Sequence, residues 1–382
     1  MALRLLAEIE DRNGHVLSSP IEVASWKRVE RLSKVGEYTI RFPLPKIRQV
    51  TSWHKNILKV YRLADGQTRS LLSTGIIDAR NISIVTTKAN LADVSGPNLM
   101  SEIGYRRLYQ NSDVFGAMAQ VPSWELLNAE SVRGQTSEFS GDTALSALIA
   151  LSERAGHNFR LGDNRTVEWI GENLTHSGVR AIAQLGNNPH VSTCLILDLR
   201  KISDSADLIT RLYVFGGGGV DNRLSLFSLP SSTNTYEELG IDRDRSFIQN
   251  DDAVNRYGVI EGEEIFNDIS SDDDLSEEDA AIQLLTAAAA FYRAHCVPYE
   301  SYEMTVTALQ KKLKPGDLIK IVYRKIYNST IIFNINGDFH ILEVAESIDE
   351  QARHVTSLKV ANIARWPTDE ASFVIKAIAK KR

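Results

Sequence analysis

The chain has 382 residues, enough for roughly two to four domains, and its 43% hydrophobic and 24% charged content is that of a soluble globular protein. A formal net charge of -6 gives the molecule as a whole no electrostatic attraction for nucleic acid. Two cysteines far apart, Cys194 and Cys296, exclude a disulfide framework and fit a reducing cytosol, and no apolar run approaches the ~20 residues that cross a bilayer.

The first hundred residues predict β structure. The stretch GEYTIRFPLP alternates apolar and polar residues, the period of a half-buried strand, and the prolines at 43 and 45 end it because proline cannot donate to a ladder. The residues on its apolar face are Tyr38, Ile40, Phe42 and Leu44. Apolar runs on both sides of Asp65-Gly66 predict a hairpin. Several short strands at this spacing favour a barrel or a sandwich, with a boundary near Gly96-Pro97-Asn98.

A small α+β unit is predicted next. Asp142 or Thr143 can cap a helix, and Gly156 is placed to end it. The apolar face of this helix carries Leu145, Leu148, Ile149 and Ser152. The stretch after it predicts a hairpin that turns at Gly162-Asp163-Asn164.

A second β-rich region begins near Val191. It is interrupted by a polar stretch from Ser231 to Asp252, which we expect to be a loop because it lacks periodicity. The clearest helix follows, with Ser276 and Asp279 in a capping-box pattern and Pro298 as its stop.

The last third returns to strands. Pro315-Gly316 predicts a turn before one strand, and Asn336-Gly337 is the strongest short hairpin signal in the sequence. A β region followed by a helix-bearing insertion therefore occurs twice, which suggests two halves of similar plan.

The run Gly216–Gly219 is the first candidate for chemistry. A phosphate-binding loop needs G-x-x-x-x-G-K-[ST], but Val220, Asp221 and Asn222 follow the run, and the carboxylate would repel phosphate. No helix pattern follows that would make it a dinucleotide motif. The favoured interpretation is a strand that leaves its sheet through a flexible turn.

Other reactive groups form no recognisable constellation. Four aspartates lack the central glycine of a calcium loop and are better explained as the acidic flank of a helix; they are Asp268, Asp272, Asp273 and Asp274. No two histidines lie four residues apart, and His157 is interpreted as a surface or packed residue. Neither cysteine has a nucleophile signature, and the five tryptophans are dispersed as buried anchors would be. No catalytic, cofactor-binding or metal-site residue is therefore predicted.

Taken together, several stretches resemble the tail-tip or baseplate hub proteins of bacteriophages. This family comprises the stand-alone hub of contractile tails and the N-terminal hub region of siphophage tail-associated proteins. The stretches that carry the resemblance, over essentially the whole chain, are ASWKRVERLSKVGEYTIRFPLP, LITRLYVFGGGG, IFNDISSDDDLSEEDAAIQLLTAAAAFYRAHCVPYESYEMTVTAL and LKPGDLIKIVYR.

The resemblance implies a mainly β fold with α+β insertions, in which two β-barrel-like domains carry two smaller inserted domains. Three copies would form a ring of pseudo-sixfold symmetry. The implied domains are 1–98, the first barrel; 99–190, an α+β insertion; 191–230 with 300–366, the second barrel; 231–299, an insertion with a helix; and 367–382, a tail.

The resemblance also implies a structural, non-enzymatic role at the tail tip of a virion assembled in the bacterial cytoplasm. The implied partners are two further copies, a distal tail or tail tube ring, a tip, spike or fibre protein, and the tape-measure protein. DNA would pass without specific binding, and neither a cofactor nor a membrane segment is implied. Since the sequence stops at FVIKAIAKKR, we expect no wall-degrading region and a separate tip protein.

Two alternatives stay open. A module that binds host-surface glycans would need an exposed tryptophan. A cell-wall hydrolase would need a pair of carboxylates brought together in space, which leaves no signature in the sequence and ranks lower.

Overall fold

The computed structural model describes residues 4–51, 55–64, 68–78, 82–84, 90–171, 175–183, 192–204, 207–219, 222–230, 236, 238–271, 275–307 and 311–366. The chain forms two compact units: the first holds Met1–Arg200 with Glu303–Lys359, and the second holds Lys201–Tyr302 with Val360–Arg382. Strands predominate in the described residues, so the predicted mainly β fold is confirmed. None of the helices in these ranges combines the length and the apolar character that a membrane crossing requires.

Two sheets pack around one core in the N-terminal part of the first unit. Its elements are β1 (Arg4–Glu10), β2 (Ile21–Val23), β3 (Ser25–Arg31), β4 (Lys34–Pro43), α1 (Leu44–Thr51), β5 (Ile57–Ala64), β6 (Thr68–Ile76), β7 (Ile82–Ile84) and β8 (Leu91–Pro97). One sheet has the order β2-β1-β5-β6, and β3-β4-β8-β7 are neighbours in a larger sheet. Trp26 is almost completely buried in the shared core, and its indole N–H donates to the Ser73 hydroxyl at 2.7 Å.

The predicted alternation in β4 is confirmed for three of its four residues. Tyr38, Ile40 and Phe42 are each at most 2% exposed. The prediction is wrong for Leu44, which is 36% exposed, because the strand ends at Pro43 and α1 begins at the next residue. The hairpin of β5 and β6 is present, but its turn at Asp65-Gly66 lies outside the described residues.

An α+β segment with its own core follows. It contains β9 (Arg107–Leu108), α2 (Val114–Ala119), β10 (Glu125–Leu127), β11 (Asp142–Thr143), α3 (Ala144–Ala155), β12 (Asn158–Leu161) and β13 (Thr166–Ile170), with 3-10 turns at Leu99–Tyr105 and Glu130–Val132. Thr143, one of the two predicted caps, accepts a hydrogen bond from the Ser146 amide at 3.0 Å, and Gly156 ends α3 with a φ of 67°. Phe159 and Trp169 stack in the core between α3 and the predicted hairpin.

The second unit contains one four-stranded sheet and the longest helix. The strands β14 (His176–Ile182) and β15 (Thr193–Asp204) come before this sheet in the chain. The elements that follow are β16 (Arg211–Gly216), β17 (Gly240–Asp242), β18 (Phe247–Gln249), α4 (Asp251–Tyr257), β19 (Glu261–Phe266) and α5 (Glu277–His295), with a 3-10 turn at Leu226–Ser228. The sheet order is β17-β18-β16-β19. The Ser276 hydroxyl accepts from the Asp279 amide at 3.1 Å, which confirms the predicted cap of α5.

The loop predicted from Ser231 to Asp252 is wrong for its second half. β17 and β18 pair there, and Phe247 and Ile248 are buried. Three-residue strands are too short to show a period of two, so no strand pattern is recognisable in these residues. The first half lies largely outside the described residues.

Six strands then form a closed sheet, in which the first and last strands pair. The last four strands are β20 (Tyr299–Val306), β21 (Leu318–Tyr327), β22 (Thr330–Ile348) and β23 (His354–Ala361). The order β21-β14-β15-β20-β23-β22 is completed by pairing of β21 with β22, and β22 also pairs with β3. A closed set of strands has no free edge, which removes the main route to unintended strand pairing.

The hairpin predicted at Asn336-Gly337 is wrong. These residues lie inside β22, opposite Val322 and Ile321. The turn between β21 and β22 is Asn328-Ser329, whose φ angles of 46° and 63° are those of a two-residue turn with both central residues left-handed. Asparagine tolerates this conformation, so the turn forms without glycine.

We therefore expect Gly337→Ala to be tolerated. A Cβ at this position meets only ordinary contacts, 3.4 Å from the Phe339 ring, and alanine in a strand interior is favoured over glycine by about 0.5–1 kcal/mol. Thermal unfolding should show an unchanged or raised midpoint. Gly96→Ala in the same unit is the control that should lower it, because its Cβ would lie 2.4 Å from the Ile76 carbonyl oxygen. If Gly337→Ala also lowers the midpoint of thermal unfolding, the result would contradict a continuous β22.

Candidate assembly interface

The glycine run is a strand exit, as predicted. β16 ends at Gly216, whose amide donates to the Leu224 carbonyl at 2.8 Å, while the Gly217 amide donates to the Ile269 carbonyl at 2.7 Å. A Cβ on Gly216 would lie 2.5 Å from the same Ile269 oxygen, so only glycine permits this approach. Both amides are used within the protein and do not point at a phosphate position.

The two cysteines are poor nucleophiles. Both are free thiols, Cys194 buried and Cys296 partly buried. Burial raises the pKa of the Cys194 thiol to about 11 and also raises the pKa of Cys296. Both therefore stay protonated at neutral pH, whereas a reactive cysteine needs its thiolate.

The other single residues considered from the sequence have structural surroundings. The Trp169 indole N–H donates to Nδ1 of His157 at 3.0 Å, which confirms the packed interpretation of that histidine. Asp268 is exposed, while Asp272, Asp273 and Asp274 lie outside the described residues. Within the described ranges, no three histidine, cysteine or acidic side chains are grouped so that they could hold a metal ion.

Three of the four described tryptophans pack as anchors, and the fourth, Trp366, is half-buried. Trp26 and Trp169 are at most 2% exposed, and Trp124 packs partly buried against the core of the α+β segment. Trp53 lies outside the described residues. The described part of the chain thus offers no exposed row of indoles for stacking on a sugar.

A charged cluster fastens the α+β segment to the turn before β21. The Arg160 guanidinium, 13% exposed in its side chain, contacts Glu168 at 2.7 Å and Asp317 at 2.6 Å and also donates to the Pro315 carbonyl. Lys314 adds a second ion pair to Glu168 at 2.9 Å. Burial alone would raise the pKa of Glu168, but the hydrogen bonds from Lys314 and Arg160 outweigh it and leave the pKa lowered.

The hairpin of β21 and β22 extends beyond its other partners. We call residues 324–334 the arm. Every residue from Arg324 to Ile332 is exposed, although the preceding part of β21 alternates with buried residues. Four large apolar side chains of the arm face solvent: Ile326, Tyr327, Ile331 and Ile332. Sequence analysis missed this feature, whose only signal is an apolar run without alternation beside Arg324 and Lys325.

The second unit carries a concentrated acidic segment, which we define as residues 237–279. It contains 16 acidic and 3 basic residues, against 33 acidic and 40 basic residues in the rest of the chain. Hydrogen bonds join part of it: Arg211 contacts Gln249 and Glu261, and Gln249 donates to Asp251. Between α4 and β19 the exposed Val259 and Ile260 lie next to these carboxylates.

This fold has counterparts among solved structures. The tail protein from Neisseria meningitidis MC58 matches with a TM-score of 0.59 at 12% identity, over 96% of this chain and 98% of that one. The 43 kDa tail protein of prophage MuSo2 from Shewanella oneidensis matches at 0.57 with 13% identity, over 95% and 99% of the two chains. The chain has the fold of phage tail proteins.

A third structure has the same fold. Prophage tail protein gp18 from Listeria monocytogenes EGD-e matches at 0.52 with 10% identity, over 99% of this chain and all of that one. No protein-family model matches the sequence, and no curated protein matches it. The resemblance inferred from the sequence is thus confirmed for the fold.

We expect Arg160→Met to lower the free energy of unfolding by about 3 kcal/mol, because it leaves two largely buried carboxylates without their guanidinium. Chemical denaturation measures this. Arg4→Met is the matched control: its ion pair with Glu22 is exposed on both sides, so the unfolding midpoint should not change. Equal effects of the two substitutions would show that burial of the Arg160 cluster has no energetic consequence.

Acid should weaken the same cluster. Because the folded-state pKa of Glu168 is lowered, its contribution to stability is present above the ordinary value of 4.5 and is lost as pH falls through the lower folded value. We expect the stability of wild type to fall more steeply below pH 4.5 than that of Glu168→Gln in a series of denaturation curves. Parallel pH profiles would contradict this assignment.

Proposed function

We propose that this protein is the structural hub of a phage tail tip or baseplate, a trimeric ring that joins the tail tube or distal tail ring to the tip. The observation that carries the proposal is the fold match to the Neisseria tail protein, which spans nearly the whole of both chains. A partial match would support only a shared domain. A match from end to end supports a shared role for the whole chain.

The proposed ring uses two barrel-like parts from each chain. The paired sheets at 1–98 supply one part, and the six closed strands supply the other; five of these lie within 191–230 and 300–366, while β14 (His176–Ile182) lies before them. The proposed insertion at 99–190 lies between the two parts in sequence, and the one at 231–299 interrupts the second part. Three chains then give six similar parts around one axis, which matches a sixfold tail ring. A closed set of strands suits this position because it exposes side chains rather than backbone edges to its neighbours.

The proposed partners are the distal tail or tube ring on one face and a tip, spike or fibre protein on the other. The tape-measure protein and later the DNA would pass through the centre of the ring, in the virion. A molecule with net charge -6 gives DNA little reason to adhere during passage. A non-enzymatic role is part of the proposal, and it is supported by the three structural neighbours, which are all tail proteins.

Electron microscopy of the purified chain at high concentration tests the proposal. We expect class averages of three-subunit rings with a central hole and a six-lobed outline. If only monomers appear, the chain should be mixed with the purified distal tail protein that is its proposed partner, on which we expect threefold rings to form. Rings of another symmetry, or no association in either sample, would contradict the trimeric hub.

A further inference from the structure

The arm has the exposed apolar character of a surface that a partner covers. Beyond Tyr323 its two strands pair with one another, and among the described residues they have no further strand partner. A lone two-stranded ribbon is marginally stable in water. The arm nevertheless exposes Ile326 at 53%, Tyr327 at 66%, Ile331 at 48% and Ile332 at 56%, and Ile326 and Ile331 lie opposite one another in the strand register. Several exposed large apolar side chains in so short a hairpin are of the kind that marks an interaction site.

The arm also carries positive charge only. No acidic residue occurs from Leu318 to Gly337, while Arg324 and Lys325 are exposed. Neither of them forms an ion pair with a residue that the structure describes. The covering surface should therefore be apolar at its centre and acidic around it.

The acidic segment of the chain itself has this composition. The exposed Val259 and Ile260 stand between α4, which begins with Asp251 and Asp252, and Glu261 of β19. A contact between two different surfaces of identical chains is heterologous, and such contacts close into a ring when the rotation between neighbours closes and otherwise give an open filament. The charge of the arm and the charge of this segment are opposite, so like surfaces repel and unlike surfaces attract.

We propose that the arm of one copy docks on the acidic segment of the next copy, with the apolar side chains of the arm against Val259 and Ile260. This inference rests on the proposed function, which supplies the ring, and adds the surfaces that close it. Charge orients the approach of the two copies, and burial of the apolar side chains holds them together.

Zero-length cross-linking tests the contact directly. Full-length chain in unlabelled and nitrogen-15-labelled form is mixed and treated with a carbodiimide, which joins an amine to a carboxylate in contact with it. We expect peptides that link Lys325 of one isotopic form to residues 237–279 of the other. Lys325→Arg is the matched control: it keeps the charge and removes the amine, so ring formation should persist while these links disappear.

Analytical sedimentation measures how strongly the copies associate with one another. Ile332→Asp should weaken self-association about tenfold or more, as expected for a charge placed in the centre of a contact. Val16→Asp changes an apolar residue of similar exposure, 59%, elsewhere and should leave association unchanged. Circular dichroism checks that both variants fold. High salt should weaken wild-type association, since exposed charge pairs are screened.

The outcomes separate this inference from the hub proposal. Rings that form with undiminished affinity in Ile332→Asp, or links that occur only within one chain, would overturn the arm contact and leave the hub in place. A wild-type chain that stays monomeric at every concentration would overturn self-docking, while the test with the distal tail protein still decides the hub. Links from Lys325 to another tail protein in assembled particles would show a different occupant and also overturn it.

Discussion

The first compact unit depends on the continuity of β22. Its first part, Thr330 to His340, pairs with β21 and closes the six-stranded ring, and its end pairs with β3, so that Ile348 lies opposite Trp26. Ion pairs from Arg28 to Glu346 and from Arg31 to Glu343 flank this junction. A break in β22 would separate the N-terminal sheets from the strands of the last third, which are joined across more than 300 residues of sequence. Such distant pairing costs loop-closure entropy before any contact offsets it, so the pairing of β22 with β3 is expected to form later than the local hairpin of β21 and β22.

Local signals in the sequence predicted local structure well. The caps at Thr143 and Ser276 and the C-terminal Gly156 are present because each satisfies backbone groups within a few residues of itself. The buried alternation in β4 followed equally from neighbouring residues. Long-range register left no such signal. Asn336-Gly337 has the composition of a turn, yet pairing with β21 on one side keeps it extended, and Asn328-Ser329 makes the turn instead. Propensity therefore failed where tertiary pairing decided the conformation.

The candidate interface was harder to predict than the fold. Adjacent apolar residues such as Ile331 and Ile332 are typical of a strand buried on both faces, and the sequence alone does not distinguish that case from a strand exposed on both. Only the structure shows that the neighbouring strands end before the arm does. The glycine run was easier to interpret, because it lacks the lysine and hydroxyl residues that a phosphate-binding loop needs. The structure explains Gly216, Gly217 and Gly218 by close backbone approach.

The net charge of -6 is the sum of two parts of the sequence that carry opposite charge. The acidic segment contributes -13, and the remaining residues contribute +7. Two copies with this distribution attract one another in the orientation that brings the acidic segment of one to the basic surface of the other, and they repel in the orientation that brings like surfaces together. A reciprocal pair about a twofold axis and a head-to-tail ring both bring unlike surfaces together, since in a twofold contact each copy can give its arm to the acidic segment of the other. Charge distribution thus favours contacts between unlike surfaces of neighbouring copies over contacts between like surfaces. The apolar residues of the arm add the short-range attraction that charge alone, screened within about 8 Å at physiological salt, does not supply.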